Sequence, residues 1–97
     1  MTKILFEVSS GDAASVLVPL ARACDRNAVT WSCFFTGDGV KTLVRDDVLA
    51  TVAGAAKAAV CEVSWERHMG DRPCPVEIGS QTNNSAMVGE VEKVVSL

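Results

Sequence analysis

Short apolar runs of strand composition alternate along this chain with segments whose apolar residues recur every three or four positions, and that alternation restricts the fold more than any other feature. Strands joined through helices must cross back over the sheet, so successive strands lie parallel and the helices cover both sheet faces. Residues 3–9 form a nearly continuous apolar run, the pattern of a buried strand. Ser9-Ser10-Gly11-Asp12 reads as a turn with Asp12 as the N-cap, after which Val16, Leu17, Leu20, Ala21 and Cys24 recur at helical spacing as far as about Arg26. Pro19 interrupts that pattern, and the helix either kinks there or starts near Ser15 with Pro19 in its first turns.

Residues 28–36 are rich in β-branched and aromatic side chains and predict a central strand ending at Gly37-Asp38-Gly39. A short helical turn is predicted over 40–44 and a longer helix over 46–56, with Asp46 and Asp47 favourably placed at its N-terminus. Residues 57–63 predict a third strand with Cys61 near its C-terminal end. Between Ser64 and Ser80, Gly70, Pro73, Pro75 and Gly79 break the periodicity, which predicts a loop with a fragment of helix or strand, and a short strand over 76–78. Residues 80–85 supply capping side chains, 86–92 a short helix and 93–97 a last strand. The expected fold class is α/β, with a mostly parallel sheet of about five strands in a single domain spanning residues 1–97.

Ninety-seven residues leave room for one domain near the lower end of domain size, where a thin core makes every exposed apolar group conspicuous. A mean hydropathy of +0.24 in so small a domain therefore predicts that another subunit covers part of its surface. Nine basic against twelve acidic residues offer no clustered cations to displace counterions from a polynucleotide, so no nucleic-acid partner is expected. No run reaches the roughly 18 apolar residues of a membrane span, and the opening apolar stretch is too short for a signal sequence. A soluble, cytoplasmic protein is expected, with its thiols in a reducing compartment.

Cys24, Cys33, Cys61 and Cys74 never form close Cys-x-x-Cys pairs and the chain has one histidine, so no metal site and no cofactor are expected. Each thiol is by default a small buried hydrophobe. Cys61 is the best placed for reactivity, at a strand end and followed within a few residues by Arg67 and His68, whose charge lowers a thiol pKa. Cys74 lies in a polar loop between Pro73 and Pro75, the most exposed thiol by context, and is a candidate second or resolving cysteine. Cys33 and Cys24 read as packing. In parallel α/β sheets reacting groups gather at the carboxyl ends of the strands. The loops carrying Ser10 and Gly11, and Gly37, Asp38 and Gly39, converge there with Ser64, Trp65 and His68 as candidate binding residues. Trp65 is either a lid over Cys61, an interface anchor or core, and Asp38 between two glycines also fits plain turn geometry.

Four segments carry a resemblance: Lys3-Ile4-Leu5-Phe6-Glu7-Val8, Phe34-Phe35-Thr36-Gly37-Asp38-Gly39-Val40, the strand-end Cys61, and Glu92-Lys93-Val94-Val95-Ser96-Leu97. In order and spacing across nearly the whole chain they resemble the DsrE/DsrF-like (TusD-related) sulfur-transfer proteins, and the Phe-Thr-Gly-Asp-Gly-Val stretch is the most specific. The resemblance implies a flavodoxin-like three-layer core, assembly into dimers, trimers or hexamers, and relay of sulfur as a persulfide on Cys61 between donor and acceptor proteins. Many members place a second cysteine three residues on, where this chain has Ser64. The alternatives are a noncatalytic scaffold subunit with inert thiols and a small anion binder using the Gly11 and Gly37 loops.

Overall fold

In the computed structural model, which describes residues 2–97, five strands alternate with helical segments. The strands are β1 (Ile4–Val8), β2 (Trp31–Phe35), β3 (Lys57–Cys61), β4 (Glu77–Gly79) and β5 (Lys93–Ser96). The helices are α1 (Ala14–Arg26), α2 (Asp46–Val52), α3 (Glu62–Met69) and α4 (Gln81–Gly89), with a 3₁₀ helix at Gly37–Val44 before α2. All strand pairs are parallel and the order across the sheet is β4-β3-β2-β1-β5.

Stepping one strand at a time from β1 to β4 keeps the right-handed crossovers on one side, whereas the return from β4 to β5 passes over the other. Packing follows that rule. Leu17 and Ala21 of α1, Val40 and Leu43 of the 3₁₀ helix, Val48 of α2 and Trp65 of α3 share one core with Phe6, Val8, Trp31, Cys33, Phe35 and Val60. Met87 of α4 packs alone on the opposite face with Leu5, Phe34, Ala59 and Cys61. The result is the three-layer, flavodoxin-like α/β sandwich expected from the sequence.

β2 is the middle strand and all of its residues are buried, which accounts for its unbroken apolar and aromatic composition. Trp31 meets Phe6 edge to face at 5.8 Å between ring centroids and donates its indole N–H to Asp25 Oδ1 at 2.8 Å, so the polar end of the largest core side chain is satisfied. Among the described residues, no helix is long and apolar enough to cross a membrane.

Several boundaries differ from expectation. α1 starts at Ala14 and runs through Pro19, and Asp12 does not cap it: the N-cap is Ala13, with no side-chain capping bond. Asp12 instead donates its backbone N–H to Ser10 Oγ at 3.2 Å and accepts from Ser15 Oγ at 3.2 Å. Residues 28–30 do not join β2, because Ala28 takes a left-handed conformation (φ 55°) after α1 and Val29 N–H returns to Cys24 O at 2.8 Å. The largest correction is α3: β3 stops at Cys61 rather than Val63, and Glu62–Met69 is one helix where the end of the strand and a loop with only a fragment of regular structure were expected. Only Trp65 of that helix is buried, so it has too few apolar positions to show a helical period. α4 likewise starts ahead of expectation, at Gln81, because Ser80 and Asn83 close a reciprocal capping box.

Candidate functional site

Cys61 is at once the last residue of β3 and the N-cap of α3. Strand alternation turns its side chain to the face beneath α4, where it is 7% exposed. Helix geometry puts it at the mouth of α3, where the first backbone N–H groups lack intrahelical acceptors. Burial alone would push such a thiol up, but the Ser64 hydroxyl and N–H, the Gln81 side chain and the Val63 N–H outweigh it and hold Cys61 below the ordinary thiol range. None of these donors closes a capping bond onto the sulfur. They act as a convergent field at a helix N-terminus, the environment that favours thiolate.

The other cysteines go the opposite way. Burial raises Cys33, which is fully enclosed in the middle strand, and also raises Cys24, with Asp25 adding to the rise. Cys74 is raised by burial as well, only partly offset by the Val76 N–H. Cys61 therefore stands apart from the other thiols in this chain.

Ser64, the third residue of α3, ties this thiol to the turn after β2. Its Oγ accepts the Gly37 N–H at 2.9 Å and lies 3.4 Å from Thr36 Oγ1. Gly37 has φ 53°, a conformation that places its N–H toward Ser64 and that favours glycine over residues with a Cβ. Gln81 is the first residue of α4, and the register that pairs Cys61 with Gly79 on β4 brings the N-termini of α3 and α4 to neighbouring strand ends.

Ser64 thus meets Thr36 and Gly37 of the segment predicted to converge with Cys61 at the sheet rim, and Gln81, which sequence reasoning missed, joins them. Residues 80–85 carry only a capping signal in sequence, and it takes the β3–β4 register to place Gln81 at the strand end beside Cys61. Arg67 and His68 do not bias Cys61: Arg67 is exposed, and His68 Nε2 lies 3.5 Å from Asp38 Oδ1, which also meets Lys41 Nζ at 3.3 Å. Gly11 sits against Asp38, with Ser10 in the turn ahead of it, and Gly39 packs onto the end of β1. Trp65 is no lid over Cys61, because it lies in the core of the opposite face and donates Nε1–H to Arg72 O at 3.0 Å. With Glu62, Glu66 and Ile78 it lines an open cleft of about 630 Å³. Cys74 is half-buried at the margin of that same core, so the structure does not bring it to Cys61.

A scan against protein-family models finds no match, and a search of curated proteins finds no significant relative.

Proposed function

We propose that the protein accepts and relays sulfur as a persulfide on Cys61, as the resemblance to DsrE/DsrF-like proteins implies. The observation that carries this reading is a thiol held below its ordinary range by helix N-terminal donors at the carboxyl rim of a parallel sheet, while burial raises the other three. In the step itself the Cys61 thiolate attacks the outer sulfur of a donor persulfide, R–S–SH. One S–S bond forms, the donor S–S bond breaks, and R–S⁻ leaves, giving Cys61–S–SH with no net oxidation. Transfer onward repeats the exchange with an acceptor thiolate as nucleophile and Cys61 as leaving group. A low-pKa leaving thiol departs faster, so the same donors that activate Cys61 ease release of its cargo.

The donor and acceptor in this reading are proteins whose own thiols dock at the rim of the sheet, within a reducing cytoplasm. Intact-mass measurement after incubation with a persulfide donor tests it. A gain of one sulfur atom is expected, lost in Cys61→Ser and kept in Cys74→Ser. If no thiol gains sulfur, or Cys74 alone does, the carrier reading fails and the noncatalytic scaffold takes its place.

A further inference from the structure

We propose that β5 is the contact edge of a symmetric dimer: two copies of the chain pair their β5 strands antiparallel about a two-fold axis at Val95, making one continuous sheet with both α1 helices on the same face.

The hydrogen bonds of β5 fix which of its backbone groups are free. Lys93 N–H donates to Lys3 O at 3.0 Å, Leu97 N–H donates to Glu7 O at 2.8 Å, and Leu97 O accepts the Ser9 N–H at 3.0 Å. Successive residues of a strand turn their N–H and C=O groups to opposite edges, so Lys93, Val95 and Leu97 serve β1 while Val94 and Ser96 turn theirs outward. β5 ends the sheet, and among the described residues no strand lies beyond it. The outward groups of Val94 and Ser96 are spaced evenly about Val95, which makes this edge its own complement. In the antiparallel pairing each Val94 faces Ser96 of the other copy and exchanges both N–H···O=C bonds with it, while Val95 meets its own counterpart across the axis.

The side chains fit the same occupant. Val95 and Leu97 pack at the margin of the larger core, and Val94, in register with Leu5, turns to the opposite face and is 41% exposed. Beside Val95 an open cleft of about 440 Å³ runs between β5 and α1, lined by Ile4, Phe6, Leu20 and Val29. Along the same side of α1 stand Val16, Leu20, Ala23 and Asn27, a stripe without a charge, with Val16 and Leu20 both exposed. The two-fold brings two such clefts and stripes together. Charge does not oppose it: Lys3 Nζ and Glu92 Oε2 pair off at 3.5 Å where the edge begins, and Lys93, the charged residue of β5, falls opposite Leu97 of the other copy.

A stable dimer buries about 800 Å² per partner, roughly 15% of the 5253 Å² surface of this chain. Pairing of one short strand is too narrow to reach that, so the α1 stripe and the cleft must take part. They are also where a thin core leaves apolar side chains in need of cover.

Sedimentation equilibrium tests the dimer, and a mass twice the 10.2 kDa of the chain is expected. Ser96→Pro removes an N–H that β1 does not use, a position where an edge strand tolerates proline. It is expected to keep the native circular dichroism and to weaken association about a hundredfold or more, because it deletes a bond from each strand and wedges a ring between them. Leu20→Asp, which sets like charges on the two α1 stripes, is expected to dissociate the dimer as well. A native protein that sediments at the mass of one chain, or an association that either variant leaves unchanged, overturns the proposal.

Val95→Cys gives a reading that does not depend on how the proline variant folds. In this register the two Cα atoms at position 95 lie about 4.5 Å apart and the two at position 94 about 8 Å, on either side of the roughly 7 Å limit for a disulfide. Both cysteine variants are made together with Cys74→Ser, so that the half-buried native thiol does not compete. With oxidised glutathione, Val95→Cys is expected to link two chains through one S–S bond with release of two reduced glutathione molecules, and Val94→Cys to stay unlinked. A link through position 94, or none through position 95, overturns the proposed axis.

Discussion

Glu7 shares the sheet face of Cys61, in register with Phe34 and, beyond it, Ala59, and α4 covers all of them. Its Oε2 and the Oδ1 of Asn84 are both buried, and neither has a hydrogen-bond partner among the described residues. Burial raises the Glu7 pKa and Asn84 only partly offsets the rise. An acid whose folded pKa lies above its unfolded value contributes stability that is complete below the unfolded pKa and lost as pH climbs through the folded one. Glu7→Gln keeps the shape, removes the charge and supplies a donor for the Asn84 oxygen. It is expected to raise stability by about 1 kcal/mol at neutral pH, close to the penalty of one unsatisfied buried group. The gain should vanish toward the acid side of the carboxyl range. Urea unfolding midpoints of both proteins across that pH interval check this, and a gain independent of pH would contradict it. The apolar run of β1 was readable in the sequence, but the isolation of Glu7 within it was not, because it depends on which residue of a distant helix lies above.

At the scale of elements, the glycines in the two rim loops look alike in sequence and do different work. A Cβ on Gly39 would stand 2.0 Å from Val8 O and 2.9 Å from Ser9 N, so the 3₁₀ helix rests directly on the end of β1. A Cβ on Gly11 would meet nothing nearer than 3.8 Å. Gly39→Ala is therefore expected to destabilise by about 3 kcal/mol, the upper end of overpacking, while Gly11→Ala stays within roughly 1 kcal/mol of the native protein. Denaturant midpoints decide it, and equal effects at the two positions would refute the packing role of Gly39. β1, β2 and α1 were legible because each buries many residues and so writes a dense periodic pattern. α3 was hidden for the opposite reason: it buries Trp65 alone, and its start is fixed by the geometry of Cys61 rather than by a capping side chain. Consequently Cys61 could be placed at a strand end and Ser64 near it from sequence, but the Val63 N–H and Gln81 could not, since they belong to an unrecognised helix start and to a neighbour across the sheet.

The layers of the whole molecule are unequal, and the inequality falls on the site. α1, α2, α3 and the 3₁₀ helix share the larger core, whereas α4 shields the other face with Met87 as its one buried residue. It also sets its own Asn84 over Glu7, and each keeps a buried oxygen with no hydrogen-bond partner among the described residues. An element with so few buried apolar contacts opens at lower free energy than the core strands beside it. Cys61 lies beneath α4, so any exchange with a thiol of another protein requires that cover to move, while Cys33, fully enclosed in the middle strand, requires the sheet itself to come apart. The four cysteines thus report on different openings of one fold. Under native conditions with a slow alkylating reagent, Cys74 is expected to label first and Cys61 next. Urea well below the unfolding midpoint should accelerate Cys61 with a shallow dependence on denaturant, as befits the small surface exposed by local opening. Cys33 should react only with the steep dependence of global unfolding, and Met87→Ala should speed Cys61 several-fold without changing the slope for Cys33. Peptide mass spectrometry resolves the sites individually, and a shared steep dependence for Cys61 and Cys33 would mean that α4 does not open apart from the rest of the molecule.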